Sequence, residues 1–482
     1  MTTTLSAAAL ASLLGPKDFS GPAYRDIADR IRLLAFDGRV VDGTRLPSER
    51  ELATAMGISR TTTSRAYAEL RDKGLLRSRQ GSGSVVSVPM TASNASSLIM
   101  TPNDADTIAL TYSAPVGPPG LSRAFESAAA KLPGLLATTG YLPDGLPALR
   151  EALAQRYTEG GLPTDPDQII VTAGAMGAVS LLARTLLDRG QRLIVEGLSY
   201  PHAHESFAAA GGRLTPLPIA DRPWNPLALR AALEGSPHRM AYLVPDFHNP
   251  TGLVMTDEER GAWAHEMRRH DVVPVVDESL REMNLDGVEL PPVFAHYNPR
   301  ALMIGSSSKA FWGGLRVGWI RAPKAAVMPI IQARMMDDLG SSAFDQLVFA
   351  ELLADGGQTA AAGRARLREA RDHLLADLAR ELPDIKAPCP PGGLSLWVTL
   401  PGRMSSRLTT AASRHGLLLT PGPRFFTHAG SVGERHLRLP YTQSHATLTE
   451  AVRRLRLAYD DVVTDAARVA RPERTDILEL IA

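Results

Sequence analysis

The 482 residues predict an α/β chain in two unequal folded parts: a short, mainly helical unit closed by a two-stranded hairpin, then a larger unit built on a parallel sheet with helices on both faces. Three observations predict this. Helical periodicity with strong caps fills much of the first ninety residues, a stretch without sustained period follows, and beyond it short apolar runs alternate with longer stretches of helical period. The length exceeds what one core serves, so two or three domains are expected. Hydrophobic residues at 44% and charged residues at 21% exclude a disordered or fibrous chain. No apolar run nears the ~20 residues that span a bilayer, so no membrane partner is expected. The opening MTTTLSAAALASLLG lacks a basic n-region and is not read as a signal peptide. Cys389 stands alone, so no internal disulfide forms, and a cytoplasmic protein is expected.

From Tyr24 onward, Ile27, Ala28, Ile31, Leu34 and Ala35 recur on one helical face. Ser48 with Glu51 three positions on is a capping-box pair, and the helix it opens should stop at Gly57. Ser59 caps the next helix, which runs to about Lys73 with Ala66, Tyr67 and Leu70 turned inward. Two short helices joined at a glycine make a helix-turn-helix. The run LLRSRQGSGSVVSV then alternates around a Gly-Ser-Gly tip, as a two-stranded wing does. Between Ser59 and Gln80, Arg60, Arg65, Arg71, Lys73, Arg77 and Arg79 outnumber Glu69 and Asp72. In such a fold the second helix enters the major groove by its N-terminal end, while arginines and backbone amides hold phosphates. Arg60, Thr61, Thr62 and Arg65 form the groove-side set, Ser59 at the cap is a further DNA-binding residue, and Arg50, Arg79, Gly81 and Gly83 follow the backbone or minor groove. The quoted segments LPSERELA, SRTTTSRAYAELRDKGLL and GSGSVV resemble the GntR-type winged helix-turn-helix over residues 21–89, and that resemblance implies double-stranded operator DNA as a partner.

Residues 90–107 are rich in Ser, Asn, Asp and Pro and read as a tether. Beyond it, RLIVE, MAYLVPD, VVPVVD and ALMIG alternate with helical stretches such as AMGAVSLLARTLLDRG, the pattern of a sheet covered on both faces. Ligands of such sheets sit beyond the carboxyl ends of the strands. Four strand ends there are polar. VTAGAMG offers free helix amides near Ala175 and Met176 after the turn at Gly174, VPDFHNPTG holds Asn249, VVPVVDES ends on Asp277, and IGSSSKAFWGGLR carries Ser306, Ser308, Lys309 and Arg316. Singly, each has an ordinary structural explanation as a turn, a cap or a snorkelling lysine. Together, a phosphate seat, a carboxylate, an amide and a lysine at one sheet edge are what pyridoxal 5'-phosphate asks for. His202 and His204 lack the neighbours of a metal site, and no metal is assigned.

The segment 108–465 resembles the fold-type I aminotransferases, a large domain with a small C-terminal α+β subdomain. Residue by residue, the resemblance implies Lys309 as the Schiff-base lysine, Asp277 on the pyridine nitrogen, Asn249 near the ring hydroxyl and Tyr200 stacked on the ring. It also implies Ala175, Met176, Ser306 and Arg316 around the phosphate, Arg438 on an effector carboxylate, and Tyr141 lent across a homodimer interface. One departure is that Ser279 stands where many relatives carry a tyrosine that bonds the ring oxygen, which counts against efficient transamination. A GntR-type reader joined to such a domain resembles the MocR subfamily of regulators, implying a homodimeric transcription factor that senses a small amine, an amino acid or pyridoxal phosphate itself. The alternative expectation is a working aminotransferase with a DNA-binding appendage.

Overall fold

The computed structural model describes residues 4–17, 19, 21–36, 40, 44–79, 83–86, 107–218, 222–427 and 432–470. Residues 90–106 of the expected tether 90–107 and the wing-tip Gly81 lie outside the described residues.

Four helices, α1 (Ala7–Leu14), α2 (Ala23–Phe36), α3 (Glu49–Met56) and α4 (Arg60–Asp72), and a hairpin of β1 (Leu76–Arg79) and β2 (Gly83–Val86) form the N-terminal reader. Ile27, Ile31 and Leu34 of α2, Leu52 of α3 and Ala66, Tyr67 and Leu70 of α4 meet in one dry core, as their 3.6-residue spacing requires. The capping box at α3 is complete: Glu51 N donates to Ser48 Oγ and Ser48 N to Glu51 Oε2, at 3.2 and 2.8 Å. Gly57 ends α3 at φ 56°, a left-handed conformation that costs glycine nothing. The angle between α3 and α4 is held by polar contacts that periodicity cannot show. Tyr67 donates to the Pro47 carbonyl at 2.9 Å, and Glu49 accepts from Ser64 at 2.6 Å and pairs with Arg71. Ahead of the expected domain start, α1 buries Leu10 and Leu14 in the same core.

The larger part is built on seven strands in the order β4 (Ile169–Thr172), β10 (Gly318–Arg321), β9 (Leu302–Ser306), β8 (Val273–Asp277), β7 (Met240–Leu243), β5 (Arg192–Glu196) and β6 (Arg213–Leu217). The expectation of a parallel sheet needs one correction: β10 runs antiparallel to both neighbours. The link from Ser306 to Gly318 is too short for a crossover helix, so the chain turns back beside the strand it has just left. Side chains alternate between two apolar layers, Val195, Tyr242 and Ile304 on one face and Ile194, Leu243 and Met303 on the other. A second unit gathers both ends of this part. There β3 (Ile108–Leu110) pairs in parallel with β12 (Leu417–Leu419) and β11 (Ser395–Thr399) pairs antiparallel with β13 (His436–Pro440), helices Ser405–Arg414 and His445–Ala470 pack against β12, and helix Gln358–Glu381 packs against His445–Ala470. Among the described residues, no helix is long and apolar enough to cross a membrane.

Candidate functional site

The sheet delivers its polar residues at one edge because each apolar strand stops where the first hydrogen-bonding side chains begin. Strand β4 leads through Gly174 into α7 (Gly174–Leu186), counting helices in chain order after α5 (Leu121–Leu136) and α6 (Pro147–Glu159). Strand β8 ends on Asp277, and β9 ends on Ser306 in the turn that carries Lys309.

Lys309 Nζ donates to the Ser113 carbonyl at 2.9 Å. Desolvation first, then the positive charges of Arg438 and Arg316 against the opposing Asp277, bring the amine down to about 8. Asp277 is buried with both oxygens engaged. Oδ2 accepts from the Tyr242 hydroxyl at 2.7 Å and Oδ1 from the Ser279 amide at 2.8 Å. Burial and the adjacent Asp277 push the Tyr242 hydroxyl far above its ordinary value, so it stays a donor. Tyr200 immediately precedes α8 (Pro201–Ala209) and is raised by burial, with Arg438 opposing and Asp277 reinforcing the shift.

Arg316 lies across the first turn of α7. Its Nη2 reaches the Ala173 carbonyl at 3.3 Å, and a Cβ on Gly174 would stand 2.5 Å from it, so glycine admits the guanidinium to the helix end. Ala175 and Met176 follow in that turn. Arg438, on β13, is 4% exposed; Nη2 donates to the Thr111 carbonyl at 2.7 Å and the guanidinium lies 4.7 Å from the Phe425 ring centroid. Burial lowers it to about 10, which leaves it cationic at neutral pH.

Among the described residues, several buried polar atoms of these segments have no partner: Asn249 Oδ1, Ser308 Oγ, Ser279 Oγ and Arg438 Nε. Unmade hydrogen bonds of this kind cost about 1–3 kcal/mol each, so their grouping marks a place built for a polar ligand. A weakly basic lysine, a doubly held carboxylate, a guanidinium at a helix N-terminus and spare donors and acceptors fit a phosphorylated pyridine aldehyde. Tyr141 is not brought to this pocket by its own chain; it is 66% exposed. His202 pairs with Glu205 at 2.9 Å, and His204 is buried and pushed down to about 4 by desolvation.

In the reader, Arg50, Arg60, Thr61 and Arg65 are exposed, with Arg65 stacked 4.4 Å from the Tyr24 ring. Ser59 and Thr62 are engaged with each other, Oγ to Oγ1 at 2.8 Å, and Ser59 also accepts from the Thr62 amide. Their hydroxyls therefore shape the helix end. Arg79 and Gly83 face each other across the wing register.

Sequence reasoning missed Tyr242, Thr111, Ser113 and Phe425. Tyr242 sits inside the run MAYLV, where an aromatic reads as core, and Thr111 and Ser113 meet Arg438 and Lys309 through backbone carbonyls, which no side-chain pattern announces.

Comparison with known proteins finds two families along the chain. The family of aminotransferases class I and II matches residues 134–455, and that of bacterial regulatory proteins of the gntR family matches residues 23–86. The chain is 28% identical over 454 residues to the uncharacterized HTH-type transcriptional regulator YdfD of Bacillus subtilis, covering 87% of this chain and 92% of that one. It is 28% identical over 430 residues to the HTH-type pyridoxine biosynthesis transcriptional regulator PdxR of Corynebacterium glutamicum, covering 84% and 89%. Among solved structures it resembles LysN, the alpha-aminoadipate aminotransferase of Thermus thermophilus complexed with N-(5'-phosphopyridoxyl)-L-leucine. That match has a TM-score of 0.67 and 28% identity and covers 75% of this chain and 94% of that one.

Proposed function

The chain belongs to the aminotransferase class I and II family and carries a gntR-family reader, the pairing of MocR- and PdxR-type regulators, and from that premise we propose that it controls transcription by sensing pyridoxal phosphate, or a small amine or amino acid, in the Lys309 pocket. One observation carries the sensing: Lys309, in the turn that follows β9 with its Nζ on the Ser113 carbonyl, shares one electrostatic field with Asp277, Arg316 and Arg438. When bound, the coenzyme supplies an aldehyde for an amine to attack and a ring that withdraws electrons. Lys309 offers a neutral amine in about a tenth of the molecules at pH 7, a fraction that grows as pH rises through about 8. Asp277, steadied by Tyr242, holds a proton at the ring nitrogen, Arg316 and the α7 amides take the phosphate, and Arg438 takes a carboxylate. We keep 21–89 and 108–465 as domain boundaries, with α1 added to the first. A cytoplasmic site of action follows from a DNA partner.

A homodimer is part of the proposal. Tyr141, Met335, Met336 and Leu339 are exposed, and the backbone bridge from Leu142 to Gly340 draws their segments together into an apolar face. Tyr141 then serves the neighbouring subunit's pocket, and pairing two readers raises operator affinity without new contacts.

Pocket and reader are joined by a continuous run of contacts. Arg438 stacks on Phe425, whose short helix begins at Gly422; the Gly422 amide donates to Ser405 Oγ at 2.9 Å; and Ser405 starts the helix Ser405–Arg414 that packs against α2 of the reader. A ligand that shifts Arg438 can bias the reader through this run, at the 1–3 kcal/mol typical of coupling between sites. Ser405→Ala should leave ligand affinity and basal DNA affinity near wild type while reducing the ligand-induced change in DNA binding. An undiminished response, followed by anisotropy of a labelled duplex, would reject this route.

The whole reading is tested by adding pyridoxal 5'-phosphate, then a panel of amines and amino acids, and following DNA binding by the full chain. No ligand-dependent change with any of them would overturn sensing. Arg60→Ala should weaken DNA binding by about 5- to 150-fold, the 1–3 kcal/mol expected of a groove-facing arginine, without altering coenzyme uptake. The transaminase alternative draws on the same Lys309, Asp277 and Arg438; steady turnover of amino donors on the order of 1 per second would favour it.

A further inference from the structure

The matched gntR-family region begins at residue 23, yet the reader's core begins earlier. Helix α1 opens on Ser6, whose hydroxyl accepts from the Ala9 amide, and it buries Leu10 and Leu14 against α2 and α3. Gly15 ends it at φ 77°. The turn that follows is pinned from α2: Arg30 Nη1 donates to the carbonyls of Leu14 at 2.9 Å and Pro16 at 2.7 Å, and its guanidinium lies 5.7 Å from the Phe19 ring. The next residue is Lys17.

Lys17 Nζ is thereby delivered to the Gly57 carbonyl at 3.0 Å, on the turn between α3 and α4. Gly57 suits the contact, since a Cβ there would stand 2.6 Å from the lysine nitrogen. Two residues on, Ser59 caps α4, whose first turn holds Arg60 and no acidic residue. An ammonium has three donors and Gly57 takes one. The side chain is exposed, and no carboxylate pairs with it among the described residues. In a helix-turn-helix the N-terminal end of the second helix enters the groove, so the DNA backbone flanking that groove passes the preceding turn.

We propose that Lys17 is a DNA-phosphate contact, carried to the helix-turn-helix by the added helix α1 and additional to the contacts of α4 and the wing. The proposal rests on the DNA-binding reading above. Phosphate contacts act on any sequence, so a mixed-sequence duplex of about 30 bp serves as the probe, titrated with full-length protein at several salt concentrations. Each phosphate contact contributes about 0.9 to the slope of log affinity against log salt. Lys17→Gln, which can still donate to Gly57, should bind more weakly at low salt with a slope shallower by about 0.9. Lys17→Arg should keep the wild-type slope, and so should Lys73→Gln, whose lysine pairs with Glu69 at the far end of α4. An unchanged slope in Lys17→Gln overturns the proposal, as does an equal loss in Lys17→Gln and Lys17→Arg, which would mark a structural role. If wild type shows no salt-dependent binding, the DNA-binding reading falls and this one with it.

Discussion

Lys309→Ala is expected to abolish covalent retention of pyridoxal phosphate while leaving the fold and the basal DNA affinity in place. The lysine amine is the nucleophile the pocket offers, and desolvation is what makes it competent. Bringing an ammonium from 10.5 to about 8 multiplies its neutral fraction at pH 7 by about 300. Borohydride reduction of wild-type protein mixed with the coenzyme should fix its mass on the peptide containing Lys309, and the alanine variant should carry none there. The same depression predicts the pH dependence. Capture requires the deprotonated amine, so its rate should climb as pH rises through about 8 and level off above it, rather than near the ordinary lysine value. A midpoint near 10.5 would show that the amine sits in water. Label on some other lysine would remove the pocket from the proposal.

Arg438→Ala should cost an amino-acid ligand about 2–5 kcal/mol, on the order of 30- to several-thousand-fold in affinity, because it removes a buried cation facing a buried carboxylate. A pair of probes isolates this. N-(5'-phosphopyridoxyl)-L-leucine carries ring, phosphate and carboxylate, whereas pyridoxamine phosphate lacks the carboxylate. Calorimetry with each should show the loss confined to the first. Equal losses would mean that Arg438 holds the pocket walls, through Thr111 and Phe425, and no ligand.

The reader was legible nearly residue by residue. The Ser48–Glu51 box, the Gly57 stop and the Ala66–Tyr67–Leu70 face are local features whose signal lies within one or two helical turns. The strand ends of the larger part were legible for the same reason: an apolar run that stops at Asp277 or Ser306 states where the sheet edge lies. The added helix α1 was not. Its residues look merely apolar until Leu10 and Leu14 have a core to enter.

From its order of residues alone this protein declares a capped helix-turn-helix, an α/β sheet and the lysine, carboxylate, asparagine and arginines that we propose hold a phosphorylated pyridine. Tertiary structure decided the rest. The reversed strand β10, the Tyr242 hydroxyl on Asp277, the Thr111 and Ser113 carbonyls facing Arg438 and Lys309, and the ammonium of Lys17 on the Gly57 turn all join residues that are distant in the chain or alike in composition. Periodicity reports which face of an element is buried, because burial repeats with the helix or strand. A hydrogen bond between two elements depends on their packing in space, and that is set only when the whole core closes.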